Sequence, residues 1–175
     1  MVLDALRIPR NSMFPDSIKT QVDMLNLQWD EAGKQIGDLG NMVAMVDTSA
    51  SMECDGGNPL YSAIGMGIRV AEKSRLGNRV LTFSSYPKWI DLGDPKTPFI
   101  DKVWTLKNDN EWGMNTNFVA AAQVIADACV ENEVKPEDVS DFVLAIFSDM
   151  QIDQAGNINS TMSDKTVSYT HLTLP

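Results

Sequence analysis

Residues 41–51 read NMVAMVDTSAS, an apolar run followed at once by a polar turn. The run 42–46 lacks the alternation of a half-exposed strand, and this pattern is typical of a short strand that is buried on both faces of a sheet. We expect the strand to end at Asp47, after which Ser49 and Ser51 occupy alternate positions of the loop. One carboxylate and two hydroxyls therefore follow a buried strand, close enough in sequence to converge on one point.

On both sides of this strand the chain alternates between helical and extended patterns. Before it, apolar residues recur every three or four positions from Ser17, a candidate N-cap, and indicate an amphipathic helix. After it we expect three further helices, one capped by Asn58, one opened by Pro98 and one that begins near Phe118. The other extended segments are residues 79–84, 88–92 and 142–147.

These patterns predict an α/β fold. Strands that alternate with amphipathic helices form a mostly parallel sheet with helices on both faces, as in Rossmann-like proteins. Residues 88–92 alternate apolar and polar side chains after a short turn, so we expect them to form an antiparallel edge strand. The run 142–147 is apolar throughout and predicts a second buried strand, which leads into Ser148 and Asp149.

The composition indicates one globular domain without affinity for nucleic acid or membranes. The chain has 175 residues, of which 43% are hydrophobic and 22% charged, and a formal net charge of −10. That charge disfavours phosphate backbones and anionic membranes, and the apolar runs are far shorter than the roughly 20 residues of a membrane helix. Cys54 and Cys129 are too few for a zinc cluster or a disulfide framework, so we expect a reducing, cytoplasmic setting.

The last residues differ in character from the rest of the chain. Residues 167–175 resemble translated sequencing-adapter read-through, and we expect residues 165–175 to be a non-native tail. The chain then divides into a helical lead-in at 1–40, a folded domain at 41–164 and this tail. The tail holds His171, the one histidine of the sequence, so mechanisms that need an imidazole general base lack a candidate.

Two aspartates at strand ends predict the position of a site. Ligands of open α/β sheets bind beyond the carboxyl ends of the strands. Asp47 and Asp149 each follow an apolar strand, and Ser49 and Ser51 add hydroxyl oxygens. Oxygen donors with room for water suit Mg²⁺ or Mn²⁺ better than zinc or copper, which prefer nitrogen and sulfur. Taken singly, each of these residues has an ordinary role in a turn or helix cap, and only their combination indicates a metal site.

At these residues the chain resembles the von Willebrand factor A family. The metal-ion-dependent adhesion site (MIDAS) of that family reads D-x-S-x-S, followed by a distant Thr and then a distant Asp. The matching positions in this chain are Asp47, Ser49, Ser51, Thr116 and Asp149. The resemblance implies that the two serines and the threonine contact the ion directly, whereas the aspartates act mainly through waters. It also implies Mg²⁺ or Mn²⁺ as the cofactor, and no catalytic residue.

The wider sequence is similar to one branch of that family. Residues 46–52, 81–84, 112–118 and 147–150 carry this similarity, which extends from about Trp29 to Asp153. The branch comprises uncharacterised intracellular proteins with a helical region related to the TROVE module of Ro ribonucleoproteins. Its members usually continue into further helices and two further strands, so the resemblance implies a domain truncated after the fourth strand.

Three functions remain open on this basis. The first is a binding module without enzymatic activity, in which an acidic side chain of a partner protein fills an open position on the ion. The second is a Mg²⁺-dependent phosphoryl-transfer hydrolase, suggested by Asp47 after a strand, although Ser49 stands where such enzymes carry a second acid. The third is an accessory domain of a TROVE-like RNA-binding protein, without direct contact to nucleic acid because this chain is acidic. We expect the first.

Overall fold

A computed structural model of the chain describes residues 1–8, 16–83, 86–108 and 118–149. Helices α1 and α2 precede the first strand, and two short 3₁₀ turns, at Ala50–Glu53 and Asp55–Gly57, follow it. In chain order the helices and strands are α1 (Val2–Arg7), α2 (Asp16–Gly33), β1 (Met42–Asp47), α3 (Asn58–Lys73), β2 (Arg79–Phe83), β3 (Lys88–Asp91), α4 (Phe99–Asn108), α5 (Phe118–Glu131), α6 (Pro136–Val139) and β4 (Val143–Phe147).

The four strands form one sheet in the order β3-β2-β1-β4. Strand β1 pairs in parallel with both β2 and β4, and β3 pairs antiparallel with β2 at one edge. The predicted α/β architecture, mostly parallel with one antiparallel edge strand, is confirmed. Because β1, β2 and β4 run in the same direction, their carboxyl ends lie at the same edge of the sheet.

Helices cover both faces of the sheet, as the sequence predicts. Side chains of a strand alternate between the faces, so Ala44 and Val46 point to one side and Val43 and Met45 to the other. The first pair packs in a core with residues of α1, α2, α3 and α4, and the second pair packs with α5 through Ala121. Both sides of β1 are therefore dry, which explains its unbroken apolar sequence.

Helix α3 lies unusually close to β1. A Cβ atom placed on Gly67 would lie 2.5 Å from Cγ2 of Val46, which is fully buried in the central strand. Such a distance is far inside van der Waals contact, so only glycine fits at this position with the present spacing. The close approach fixes α3 against the strand that leads into Asp47.

Some local predictions differ from the structure. The N-cap of α3 is Gly57, with φ of 81°, and Asn58 is already helical. Helix α2 begins at Asp16, so Ser17 lies inside its first turn. Strand β4 is not buried on both faces: it lies at the edge of the described sheet, and the elements packed against its faces cover it only in part. In it Val143 is 51% exposed and Ile146 is 36% exposed.

None of the helices within the described ranges combines the length and the apolar character that crossing a membrane requires. The residues predicted to form a non-native tail lie outside those ranges. The predicted division at residues 40 and 164 stays a prediction, although Val2, Ala5 and Trp29 of the lead-in pack into the same core as Ala44 and Val80 of the sheet.

Candidate functional site

The site lies where β1 and β4 end. Asp47 is the last residue of β1, and Val46 pairs with Phe147, the last residue of β4. Ser148 and Asp149 therefore leave the sheet beside Asp47, at the edge where the loop 48–54 also begins. The parallel pairing thus brings together two segments that are separated by 101 positions in the sequence.

Asp47 is completely buried and both of its carboxylate oxygens accept hydrogen bonds. The backbone N–H of Ser49 donates to Oδ1 at 2.9 Å, and the hydroxyl of Ser148 donates to Oδ2 at 2.6 Å. Both donors are neutral, and no basic side chain within the described ranges forms an ion pair with this carboxylate. A buried carboxylate is costly unless a positive charge lies near it.

The serines of the loop face each other. The hydroxyls of Ser49 and Ser51 share a hydrogen bond, with their oxygens 3.0 Å apart. The 3₁₀ turn at Ala50–Glu53 sets this spacing, since the N–H of Met52 donates to the carbonyl of Ser49 at 3.1 Å. Ser49 is 3% exposed and Ser51 is half-buried. Solvent access therefore increases from Asp47, which is fully buried, through Ser49 to Ser51.

Met52 ties this loop to the end of β4. Its side chain is 1% exposed, and its Sδ accepts the backbone N–H of Asp149 at 3.2 Å. Neither Met52 nor Ser148 was singled out from the sequence. Their position in the sequence could have indicated a role at the site, because Met52 follows Ser51 and Ser148 precedes Asp149.

Four of the five predicted site residues come together in the structure. Asp47, Ser49, Ser51 and Asp149 lie at the same edge of the sheet, whereas Thr116 is outside the described residues. Within the described ranges, no three His, Cys, Asp or Glu side chains form a group that could hold a metal. The predicted donor set instead relies on hydroxyls. Between Asp47 and Ser49, the hydroxyl oxygen of Thr48 is buried and has no hydrogen-bond partner among the described residues.

Comparisons with known proteins place the chain in a family. No solved structure matches it. A stretch of 136 residues, 75% of this chain, is 34% identical to an uncharacterised protein of Acanthamoeba polyphaga mimivirus, and it spans only 23% of that relative's length. A family model matches residues 41–172, which begin at β1 and include the whole of the site. The chain therefore belongs to the family described as "Domain of unknown function (DUF7788)".

Proposed function

We propose that this chain is a von Willebrand factor A-like domain that binds a divalent cation and, through it, a partner protein. The ion is Mg²⁺ or Mn²⁺, held at Asp47, Ser49, Ser51, Thr116 and Asp149. An acidic side chain of the partner completes its coordination. The domain works without catalysis, in the cytoplasm, as part of a TROVE-related protein. The observation that carries the proposal is the buried Asp47 carboxylate, which has no basic partner among the described residues and lies beside two facing hydroxyls.

The chemistry of the donors fits a small, hard cation. Two ligands at right angles, each about 2.1 Å from Mg²⁺, are about 3.0 Å apart. The hydroxyl oxygens of Ser49 and Ser51 have this separation, 3.0 Å. The same two ligands around Ca²⁺, at about 2.4 Å, would be about 3.4 Å apart. The hydrogen bond between the two hydroxyls sets this spacing, which is compatible with the smaller ions.

The charge of the site also supports a bound cation. Both oxygens of Asp47 are oriented by neutral donors, the Ser49 N–H and the Ser148 hydroxyl, which leave its negative charge uncompensated. A divalent ion near the loop would offset that charge. With hydroxyls as direct ligands and carboxylates acting through waters, the ion would keep strong attraction for an incoming anion.

The exposure of the residues indicates where a partner would enter. Asp47 and Ser49 are buried, whereas Ser51 and Asp149 are half-buried and face the surface. A partner's carboxylate would reach the ion from the side of Ser51 and Asp149. Because the chain carries a net charge of −10, the same carboxylate should be repelled when no ion is bound.

The phosphoryl-transfer alternative has less support. A nucleophilic aspartate needs a free oxygen that faces the substrate, and both oxygens of Asp47 already accept hydrogen bonds in a fully buried position. The alternative of an accessory domain in an RNA-binding protein has no observation of its own in its favour.

Thermal unfolding with and without Mg²⁺ tests the metal site. Mass action predicts that Mg²⁺ at a hundredfold excess over its Kd stabilises the domain by about 2.7 kcal/mol. Ser51→Ala should lose most of this gain, since it removes a half-buried hydroxyl with little cost to the fold. Ser140→Ala, which changes an exposed serine before the amino end of β4, at the opposite end of the strands from Asp47, is the matched control and should respond like the unchanged protein. Identical Mg²⁺ responses of Ser51→Ala and Ser140→Ala would show that the ion does not bind at this loop.

Affinity capture in Mg²⁺ and in chelator tests the second half of the proposal. Partners that bind through the ion should be retained in Mg²⁺ and released by chelator. Replacement of one acidic residue of the partner by alanine should abolish their capture. Undiminished capture in excess chelator would refute the bridging role while leaving the metal site itself intact.

A further inference from the structure

A second cleft lies far from the strand ends described above. It has a volume of about 500 Å³ and lies among the last turns of α2 and α3, the segment before β2 and the start of α4. Its lining includes Ser74 and Asn78, which precede β2. Because β1 and β2 are parallel, this is the amino end of the sheet, opposite to Asp47.

The cleft concentrates positive charge in an acidic protein. Its lining holds five of the 14 basic side chains of the chain, and we call it the basic cleft for these residues: Lys34, Arg69, Lys73, Lys96 and Lys102. Among the described residues, two acidic side chains, Asp30 and Glu72, line it as well, and Lys34 is paired with Glu31 beside the lining, which leaves a formal charge of +2. The whole chain carries −10. The cleft is therefore the place where a negatively charged small molecule would be attracted.

Buried charges form the floor of the basic cleft. Lys102 is 2% exposed, and its ammonium group contacts Oε1 of Glu72 at 2.8 Å. Arg69, with 13% exposure, contacts the other oxygen of the same carboxylate at 3.0 Å. Two cations thus share the Glu72 carboxylate in a region of little solvent, and Asp30 offsets the second positive charge through its attraction to Arg69, so the floor is close to neutral.

Aromatic stacking holds this floor in place. The rings of Trp29 and Phe99 stack with centroids 4.0 Å apart, and the guanidinium of Arg69 lies 3.7 Å from the centre of the Trp29 ring. The indole N–H of Trp29 donates to Glu72 at 3.0 Å. Burial lowers the pKa of Arg69, because its desolvation outweighs the attraction of Glu72 and Asp30. The guanidinium nevertheless stays charged, since its pKa is far above neutrality.

The rim of the basic cleft adds two ammonium groups that form no ion pair among the described residues. Lys73 at the end of α3 is half-buried and Lys96 before α4 is exposed. Neither forms an ion pair with any carboxylate in the described ranges. Both are therefore free to turn toward a ligand, whereas the floor is fixed.

We propose that the basic cleft binds a small molecule with phosphate groups. Its volume lies within the range of about 300–1,000 Å³ that is usual for small-molecule sites. A phosphate or diphosphate carries several negative charges and many acceptor oxygens, which match the ammonium groups of Lys73 and Lys96 on the rim, above a floor that the ion pairs of Arg69 and Lys102 hold in place. The basic cleft shares no residue with the metal site, so this proposal does not depend on metal binding.

Calorimetric titration with inorganic pyrophosphate tests this site. The buffer contains chelator, so that no metal ion can carry the ligand to the strand ends, and ionic strength is held constant. We expect one pyrophosphate per chain. The double variant K73A/K96A removes both ammonium groups of the rim and should bind at least about tenfold more weakly, which corresponds to about 1.4 kcal/mol.

The matched control is K19A/K135A, which removes two exposed lysines that lie outside the cleft and changes the net charge equally. It should bind pyrophosphate like the unchanged protein. No measurable binding by the unchanged protein would overturn the proposal. An equal loss of affinity in both double variants would also overturn it, since it would show only a general effect of net charge.

Discussion

Ser148 is the residue on which the candidate site depends most directly. Its hydroxyl donates to Oδ2 of Asp47 at 2.6 Å, across the boundary between β4 and β1. Ser148→Ala would leave that oxygen of a fully buried carboxylate without its donor, at a cost of about 1–3 kcal/mol. Urea denaturation of the two proteins should show a loss of this size.

Two further variants make that prediction specific. Ser148→Thr keeps the hydroxyl and should recover most of the stability. Ser140→Ala removes an exposed hydroxyl whose partner is the carbonyl of Glu137, and it should change stability by less than about 0.5 kcal/mol. If Ser148→Ala and Ser140→Ala had equal effects, the contact with Asp47 would not stabilise the fold.

At the scale of residues, sequence and structure provide different parts of the site. The spacing of Asp47, Ser49 and Ser51 could be predicted from one loop, because alternate positions of a tight turn are near neighbours by chain geometry alone. The contacts made by Ser148 and Met52 could not. They depend on which strand lies beside β1, a question of tertiary pairing that local patterns do not answer.

Among the elements, the close contact between α3 and β1 restricts position 67 to glycine. Gly67→Ala would place a Cβ 2.5 Å from Val46, which has no room to move in the central strand. We expect a net loss of about 1–2 kcal/mol, because overpacking of the core outweighs the better helix propensity of alanine. Chemical denaturation measures this loss.

Gly65 provides the control within the same helix. A Cβ at this position would meet Cγ2 of Val2, in helix α1, at 3.2 Å. A shift of a few tenths of an ångström in that short helix relieves the contact, so Gly65→Ala should be closer to neutral than Gly67→Ala. A larger loss for Gly65→Ala would place the tight contact at α1 instead of β1.

Which elements could be predicted follows from their length and from how fully they are buried. The run 42–46 is apolar because helices cover both of its faces, so its sequence carries a clear signal. Helix α1 has six residues and α6 has four, too few for a helical period to be recognised. The run 142–147 has the same apolar composition as β1, and that composition does not indicate whether a strand lies at the centre or at an edge.

At the scale of the whole molecule, charge and topology separate two regions of different character. The Asp47 site lies at the carboxyl ends of the parallel strands, and the basic cleft lies at their amino ends. The sequence predicts the first region, since strand ends are where ligands of α/β sheets bind. It gives no indication of the second, because its lysines come from the ends of α2 and α3, from the loop before α4 and from α4 itself. Only folding brings these segments together.

The position of β4 at the edge of the described sheet predicts where copies of this chain would meet. Among the described residues β4 pairs with β1 alone and has no strand on its other side, and Val143 on this strand is 51% exposed. An exposed apolar edge is a template for pairing with another chain. We therefore expect concentration-dependent self-association, which light scattering and sedimentation velocity would detect.

A lysine on the edge should suppress that association. Val143→Lys places a charge where a second strand would approach, and pairing would bury it without a partner. Val130→Lys is the matched control, because Val130 is 78% exposed, lies on α5 instead of a strand and takes the same change of charge. Sedimentation at equal concentrations should show monomers for Val143→Lys and the original association for Val130→Lys. Equal behaviour of the two variants would mean that net charge, and not the β4 edge, controls the association.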